Sequence, residues 1–281
     1  MFFLKWLIFL AKPFVSHFPR AAALYRGVRD QLKLMEEPKP TPWGFKLAGN
    51  SAMTQGTFEP TETEIVRKLL KDVDILVNVG ANVGYYCCHA LSMGIPVIAF
   101  EPMARNFHFL YKNIKANEWD GVEIFPIALS NNVGILEIYG DDTGASLLKG
   151  WAGIPEDYKT VVPCSTMDTV LNSRLSGKKV LVLVDIEGAE KWMLEGASIM
   201  LANEPKPIWL VEIMTKDHQP EPLKINPNLR STFNIFAQNG YSAYSADQDM
   251  RPITMDYVEK VSSGHLEFST YNFLFSASEI N

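Results

Sequence analysis

The sequence predicts an α/β fold in which a mainly parallel sheet is covered by helices on both faces. Three observations predict it. Short apolar runs alternate with segments of helical period along most of the 281 residues. Several of these runs are apolar throughout, as in Val180-Leu-Val-Leu-Val184, which is how strands buried on both faces read. A glycine-bearing turn, Gly80-Ala-Asn-Val-Gly84, joins one apolar run to a helical segment, and parallel sheets bind ligands at such junctions.

Taken in order, residues 1–36 read as an N-terminal helical arm. Residues 1–11 are strongly apolar but interrupted by Lys5, and a bilayer-spanning helix needs about 20 apolar residues. Three readings stay open for this run. It packs on its own domain or on a partner subunit, which would favour a homo-oligomer. It lies on a membrane surface through residues 1–12, with Trp6 and Phe9 as anchors. Or it is a secretion signal, although the basic leader and the cleavage site fit poorly. Pro38, Pro40 and Pro42 resist helix and read as a linker, dividing the chain into an arm with linker (1–40) and one domain (41–281). Within the domain the pattern predicts helix over 62–71, strand over 74–79, helix over 85–92, strand over 96–100 and helix over 106–116. Strands follow over 122–127 and 133–139. After a glycine-rich loop come strand 180–184, helix 189–202, strand 207–214 and helix 229–238, then β-like runs over 241–245 and 268–275. The loop over 140–158 is long enough to serve as a lid.

Composition narrows the function. Hydrophobic residues make up 47% and charged residues 21%, which is ordinary for a globular chain. The net charge of −6 gives no general attraction to nucleic acid, which is therefore not expected as a partner. Cys87, Cys88 and Cys164 have no metal-type spacing with histidine and read as buried small hydrophobes in a reducing compartment. The expected location is the cytoplasm, with membrane association through residues 1–12 as the addition to it. No metal site is read from the sequence.

The turn after the first predicted strand is the candidate cofactor loop. Gly80 and Gly84 supply positive φ and let backbone approach a ligand or a neighbouring helix, and Asn82 tolerates the same conformation. The loop lacks the middle glycine and the spacing of the dinucleotide fingerprint, which favours a nucleoside with an amino-acid tail over a nicotinamide dinucleotide. Glu101, at the end of the next strand, is placed to accept from both ribose hydroxyls.

With the loop and Glu101 in place, the sequence resembles the FkbM family of methyltransferases. The matching residues are Asn78-Val-Gly-Ala-Asn-Val-Gly84, Phe100-Glu-Pro102, Asn113-Ile114 with Asn117, and Ala128-Leu-Ser130. Further on they are Gly144-Ala-Ser-Leu147, Thr166-Met-Asp168 and Val184-Asp-Ile-Glu-Gly-Ala-Glu190. The resemblance covers about residues 55–275. It implies a class I, Rossmann-like methyltransferase fold, S-adenosylmethionine as cofactor, and transfer to oxygen on a small molecule or glycan. It further implies that Asn78, Gly80, Ala81, Asn82 and Gly84 line the methionine end, Glu101 the ribose, and Ala128 or Ser130 the adenine. The family usually carries Asp where this chain has Asn78, which keeps the hydrogen-bonding capacity and loses the charge.

A hydroxyl is a poor nucleophile at neutral pH, so a base or a metal should help. Asp185 with Glu212 could hold a divalent ion, although two carboxylates do not define a metal site. Asp185 follows the most buried-looking strand and is the first candidate base. Glu187 lies in the same loop, Glu212 ends the next strand opposite Asp185, and His218 follows in a proline-bearing loop. Glu190 falls in a first helical turn, where an acid is favoured by the helix dipole whatever its function. Trp151, Tyr158, Trp192 and Tyr244 are the aromatic residues nearest these loops. Two rival functions remain on sequence grounds, a nicotinamide-dependent oxidoreductase and a non-catalytic membrane-docked binding protein with a degenerate methyltransferase fold.

Overall fold

A computed structural model describes residues 34–140 and 144–278, so the readings placed on residues 1–33 lie outside the described residues. The Pro-rich stretch is not a free linker. β1 (Lys39–Pro40) pairs antiparallel with β2 (Lys46–Leu47). Phe45, Leu47 and Ala48 are buried against the domain, with Val83, Tyr85, Cys88 and Phe109. The prolines stop helix formation, but the apolar residues behind them have a core to enter.

The chain then runs through α1 (Ser51–Gln55), α2 (Pro60–Leu69), β3 (Ile75–Val79), α3 (Tyr85–Ser92), β4 (Val97–Phe100), α4 (Ala104–Ala116) and β5 (Val122–Phe125). A small sheet follows, made of β6 (Ala128–Leu129), β7 (Gly134–Tyr139) and β8 (Lys159–Ser165), in the order β6-β8-β7. Next come α5 (Met167–Leu171), β9 (Val180–Val184), α6 (Glu190–Glu195), α7 (Ser198–Leu201) and β10 (Ile208–Glu212). The last elements are α8 (Leu229–Gln238), β11 (Ser242–Ser245), β12 (Pro252–Ile253), α9 (Met255–Ser262) and β13 (Asn272–Ser276).

The central sheet has the order β12-β11-β13-β10-β9-β3-β4-β5. From β10 to β5 all neighbours are parallel, and β13 enters antiparallel beside β10. Alternation sorts the side chains between two cores. Val77, Val182, Trp209 and Phe273 face Met193, Leu229, Phe233 and Val258 of the later helices. Leu76, Ala99, Leu183 and Leu210 face Ile65, Val66, Cys87, Leu110 and Ile114 of α2, α3 and α4. Both faces are covered, as the unbroken apolar runs required. The chain leaves β3 toward β4 and β5 and later returns to β9 on the other side of β3. That reversal opens a crevice at the carboxyl ends of β3 and β9.

Four local expectations are corrected. The predicted strand over 122–127 stops at Phe125, and Ala128–Leu129 belongs to the small sheet. The helix over 189–202 breaks at Gly196. A Cβ there would lie 2.2 Å from the Ser130 carbonyl oxygen, so the chain bends to admit its neighbour. β8 and α9 lie outside the predicted elements. Each forms because a partner supplies the other half of its packing, β7 for β8 and α8 for α9.

Candidate active site

The site forms where the loop after β3 meets the loop after β9. Gly80 has φ +82°, and a Cβ on it would lie 1.8 Å from the carbonyl oxygen of Asp185. Asp185 in turn donates its amide to the carbonyl of Val79 (3.0 Å). The missing side chain therefore admits the neighbouring backbone rather than a ligand, which revises the sequence reading. The amides of Gly80 and Ala81 are also committed, both donating to the Phe100 carbonyl (3.0 and 2.9 Å). Gly84, with φ +88°, begins α3 and lets it approach α4. A Cβ there would meet Leu110 at 2.6 Å, and Gly84 lines neither cavity of the site.

Glu101 ends β4 with only 4% of its surface exposed. Its Oε2 accepts from the Asn82 amide (2.7 Å) and its Oε1 from the Met103 amide (2.8 Å). Burial pushes its carboxyl up to about 7 against the pull of those bonds. The Asn106 side chain is a third donor to this carboxylate. Asn82 holds the turn at φ 51°, its Oδ1 accepting from Val83 N (2.8 Å).

A cavity of about 60 Å³ opens beside these groups, walled by Glu101, Met103 and Ala128 and roofed by Ile138 and Leu147 from the small-sheet side. Ala128 lines this cavity. Ser130 does not, since its amide donates to the Ser165 carbonyl and its side chain lines a separate groove beside Trp192.

A second cavity of about 250 Å³ lies across the loop. Gly80, Asn82, Asp185 and Glu187 line both, so the two form one continuous cleft over the carboxyl ends of the parallel strands. Asn78 lies in this half, 4% exposed, on the face toward α3, with Nδ2 donating to Cys87 Sγ (3.4 Å). Ala81 is buried beside it.

The predicted acids converge here. Water reaches Asp185, yet protein encloses it on most sides. That enclosure first, and then the charges of Glu212 and Glu187, push its carboxyl well above the ordinary carboxylate range. Glu212 is half-buried and pushed up to about 8, first by burial and then by Glu187 and Glu59. Glu187, at φ 53°, is raised by burial, while Trp151 and His218 pull it back. Its Oε2 accepts from Trp151 Nε1 (2.9 Å) and stands 3.7 Å from His218 Nδ1. His218 is exposed and lines neither cavity, so it reaches the cleft only through Glu187.

Glu190 lies outside the cleft lining. Its carboxylate accepts from the Gly188 amide (2.7 Å), which explains it as a helix-start acid. The segment read as a lid is pinned to this loop in its middle. Ser146 Oγ donates to the Glu187 carbonyl (2.5 Å), and Trp151 is fully buried against Gly188. Of the aromatic candidates, Trp151 is bonded to a cleft residue, Glu187; Tyr158, Trp192 and Tyr244 line neither cavity. Among the described residues, no three His, Cys, Asp or Glu side chains are grouped as metal ligands.

Sequence reasoning missed the opposite wall. Glu59 has left-handed backbone (φ 38°) and accepts from Tyr86 Oη (2.8 Å). Glu62 accepts from Asn272 Nδ2 (3.2 Å). Both acids flank Pro60 at the start of α2, where the helix dipole already accounts for them, so their local signal points elsewhere. Only the tertiary fold brings them over β10.

A family described as Methyltransferase FkbM domain matches residues 78–243. No curated protein matches the chain. Among solved structures, the chain is similar to a precorrin-6y C5,15-methyltransferase from Geobacter metallireducens GS-15, at 11% identity and TM-score 0.38, over 71% of this chain and 79% of that one. It is similar to a ribosomal protein L11 methylase from Lactobacillus delbrueckii subsp. bulgaricus, at 8% identity and TM-score 0.40, over 81% and 78%. It is also similar to monomeric WbdD, at 10% identity and TM-score 0.42, where 83% of this chain spans 43% of the other.

Proposed function

For this chain, which belongs to the FkbM family of methyltransferases through a match over more than half its length, we propose S-adenosylmethionine as methyl donor and a hydroxyl of a small molecule or glycan as acceptor. The observation that carries the reading is the continuous cleft with two unlike ends. One end is apolar and closed by Glu101. The other is walled by Asp185, Glu187 and Glu212. A donor with a flat ring and a diol at one end and positive charge at the other matches that polarity. Glu101 would take the ribose hydroxyls, Met103 and Ala128 the ring, and the loop from Asn78 to Asn82 the amino-acid end.

When bound, S-adenosylmethionine supplies a methyl carbon on a sulfonium, and the carbon–sulfur bonding pair leaves with sulfur as an acceptor oxygen forms the new bond. The protein's task is to align that oxygen and to take its proton. Asp185 stands at the junction of the two cavities, and its raised affinity for a proton suits it as the base. Glu212 lies in the same cavity as a second carboxylate, and Trp151 fixes Glu187 at the junction.

Calorimetry tests the donor. S-adenosylmethionine and S-adenosylhomocysteine should both bind, and a nicotinamide dinucleotide should not. Heat with the dinucleotide alone would restore the oxidoreductase reading. Donor binding without label transfer to any acceptor pool would instead support a binding protein that has kept the fold. No helix among the described residues is long and apolar enough to cross a membrane. Docking through residues 1–12 is a separate proposal, tested by whether deleting them abolishes flotation with liposomes.

A further inference from the structure

The acceptor half of the cleft holds more acid than the donor can neutralise. Glu59, Glu62, Asp185, Glu187 and Glu212 all line it, and among the described residues no lysine, arginine or histidine does. Their partners are neutral or distant. Glu59 has the Tyr86 hydroxyl, Glu62 the Asn272 amide, and Glu187 the Trp151 indole with His218 at 3.7 Å. The carboxylates of Asp185 and Glu212 accept no hydrogen bond from a described residue.

The donor/acceptor count points the same way. The Tyr86 hydroxyl and the Asn272 amide already donate to acids of the wall. Asn78 is 4% exposed and turns its Nδ2 to Cys87. Its Oδ1 accepts no hydrogen bond from a described residue, and Asn78 lines the same cavity. The side-chain amides of Asn50, Asn78, Asn82 and Asn272 keep N–H groups able to donate, but all four are neutral and none is a counter-ion. Acids gathered in one cavity without counter-ions repel one another, and they favour protons or a cation from elsewhere. S-adenosylmethionine brings a sulfonium, an ammonium and a carboxylate, one net positive charge against five acids.

We propose that the acceptor carries a protonated amine close to the hydroxyl that is methylated, with Glu59, Glu62 and Glu212 as its counter-ions. The inference rests on the methyltransferase reading above. A protonated amine has no lone pair, so it binds the acidic wall while the neighbouring hydroxyl accepts the methyl group. A phosphate or carboxylate at that end of the acceptor would meet like charge, and the cleft excludes it.

The test uses the full chain, radiolabelled S-adenosylmethionine and a cell-extract metabolite pool, with labelled products separated on ion exchangers at neutral pH. The product should be retained on the cation exchanger. Label in a neutral or anion-retained product overturns the amine and leaves the methyltransferase reading standing. Label in no product overturns that reading, and the amine falls with it. Activity that chelator abolishes and a divalent ion restores would also overturn the proposal, because a metal would then be the missing counter-ion. With the cationic product in hand, Glu62→Gln should raise the acceptor KM about tenfold and leave S-adenosylhomocysteine affinity within about twofold. An unchanged KM in both Glu59→Gln and Glu62→Gln removes the wall from recognition.

Discussion

The two ends of the cleft treat a carboxylate in opposite ways. At the end proposed for the nucleoside, Glu101 is almost fully enclosed, and two backbone amides meet it, one on each oxygen. At the end proposed for the acceptor, Asp185 and Glu212 share a cavity with three other acids, and their carboxylates accept no hydrogen bond from a described residue. Amides from adjoining loops can be fixed by the fold itself, so the first end is complete without ligand. The second end leaves its electrostatics to be completed by whatever binds. One half is organised in advance to recognise a constant group, and the other changes charge state with its occupant.

The largest effect should come from the point where the halves join. Gly80→Ala places a methyl group on the Asp185 carbonyl at a positive φ, which forces the two loops apart. We expect a loss of roughly 3 kcal/mol or more in chemical denaturation, with donor binding abolished. Near-wild-type stability would show that the junction yields easily, and the two ends would then be independent.

Next is the base. Asp185→Asn should lower kcat by about 100-fold or more, while S-adenosylhomocysteine binds within about threefold of wild type. Loss of binding instead of rate would assign Asp185 to the donor, blurring the contrast. Glu101→Gln should do the reverse. It keeps shape but weakens charge-assisted bonds, so donor Kd should rise about tenfold with little change in kcat at saturation.

The smallest effect separates the ends by pH. The Glu212 carboxyl titrates at about 8 in the folded chain against an ordinary 4.5, so the folded state holds a proton that the unfolded chain has lost between those values. Stability therefore falls as pH rises through that window and levels off above it. Glu212→Gln should make the fall in Tm between about pH 5 and 8 shallower. An equal slope in the variant would mean that other groups govern it. Glu101, at about 7, and Glu190, at about 7, contribute slopes of the same sign that the variant retains.

Much of this was legible without coordinates, because it depends on local pattern. β9 is apolar at every position and could only be a strand buried on both faces, and Val180–Val184 has the predicted bounds. α3 and α8 also have theirs, Tyr85–Ser92 and Leu229–Gln238. Asp185, Glu187 and Glu212 were foreseen because a polar residue that ends an apolar strand must leave the core at the ligand-binding edge. The glycine loop was legible as a tight turn, although the occupant of the space at Gly80 was not.

Local pattern alone therefore determined the α/β class, the parallel strands, the tight glycine turn after β3 and the acids at the strand ends. Burial fixes those residue types whatever the neighbours do. The tertiary structure decided what depends on distant segments. It put Glu59 and Glu62 opposite Glu212, tied Glu101 to the Asn82 and Met103 amides, moved Ser130 out of the cavity, and left His218 behind Glu187. The charge of the acceptor half is a sum over five acids, from residue 59 to residue 212, that meet only when the sheet closes.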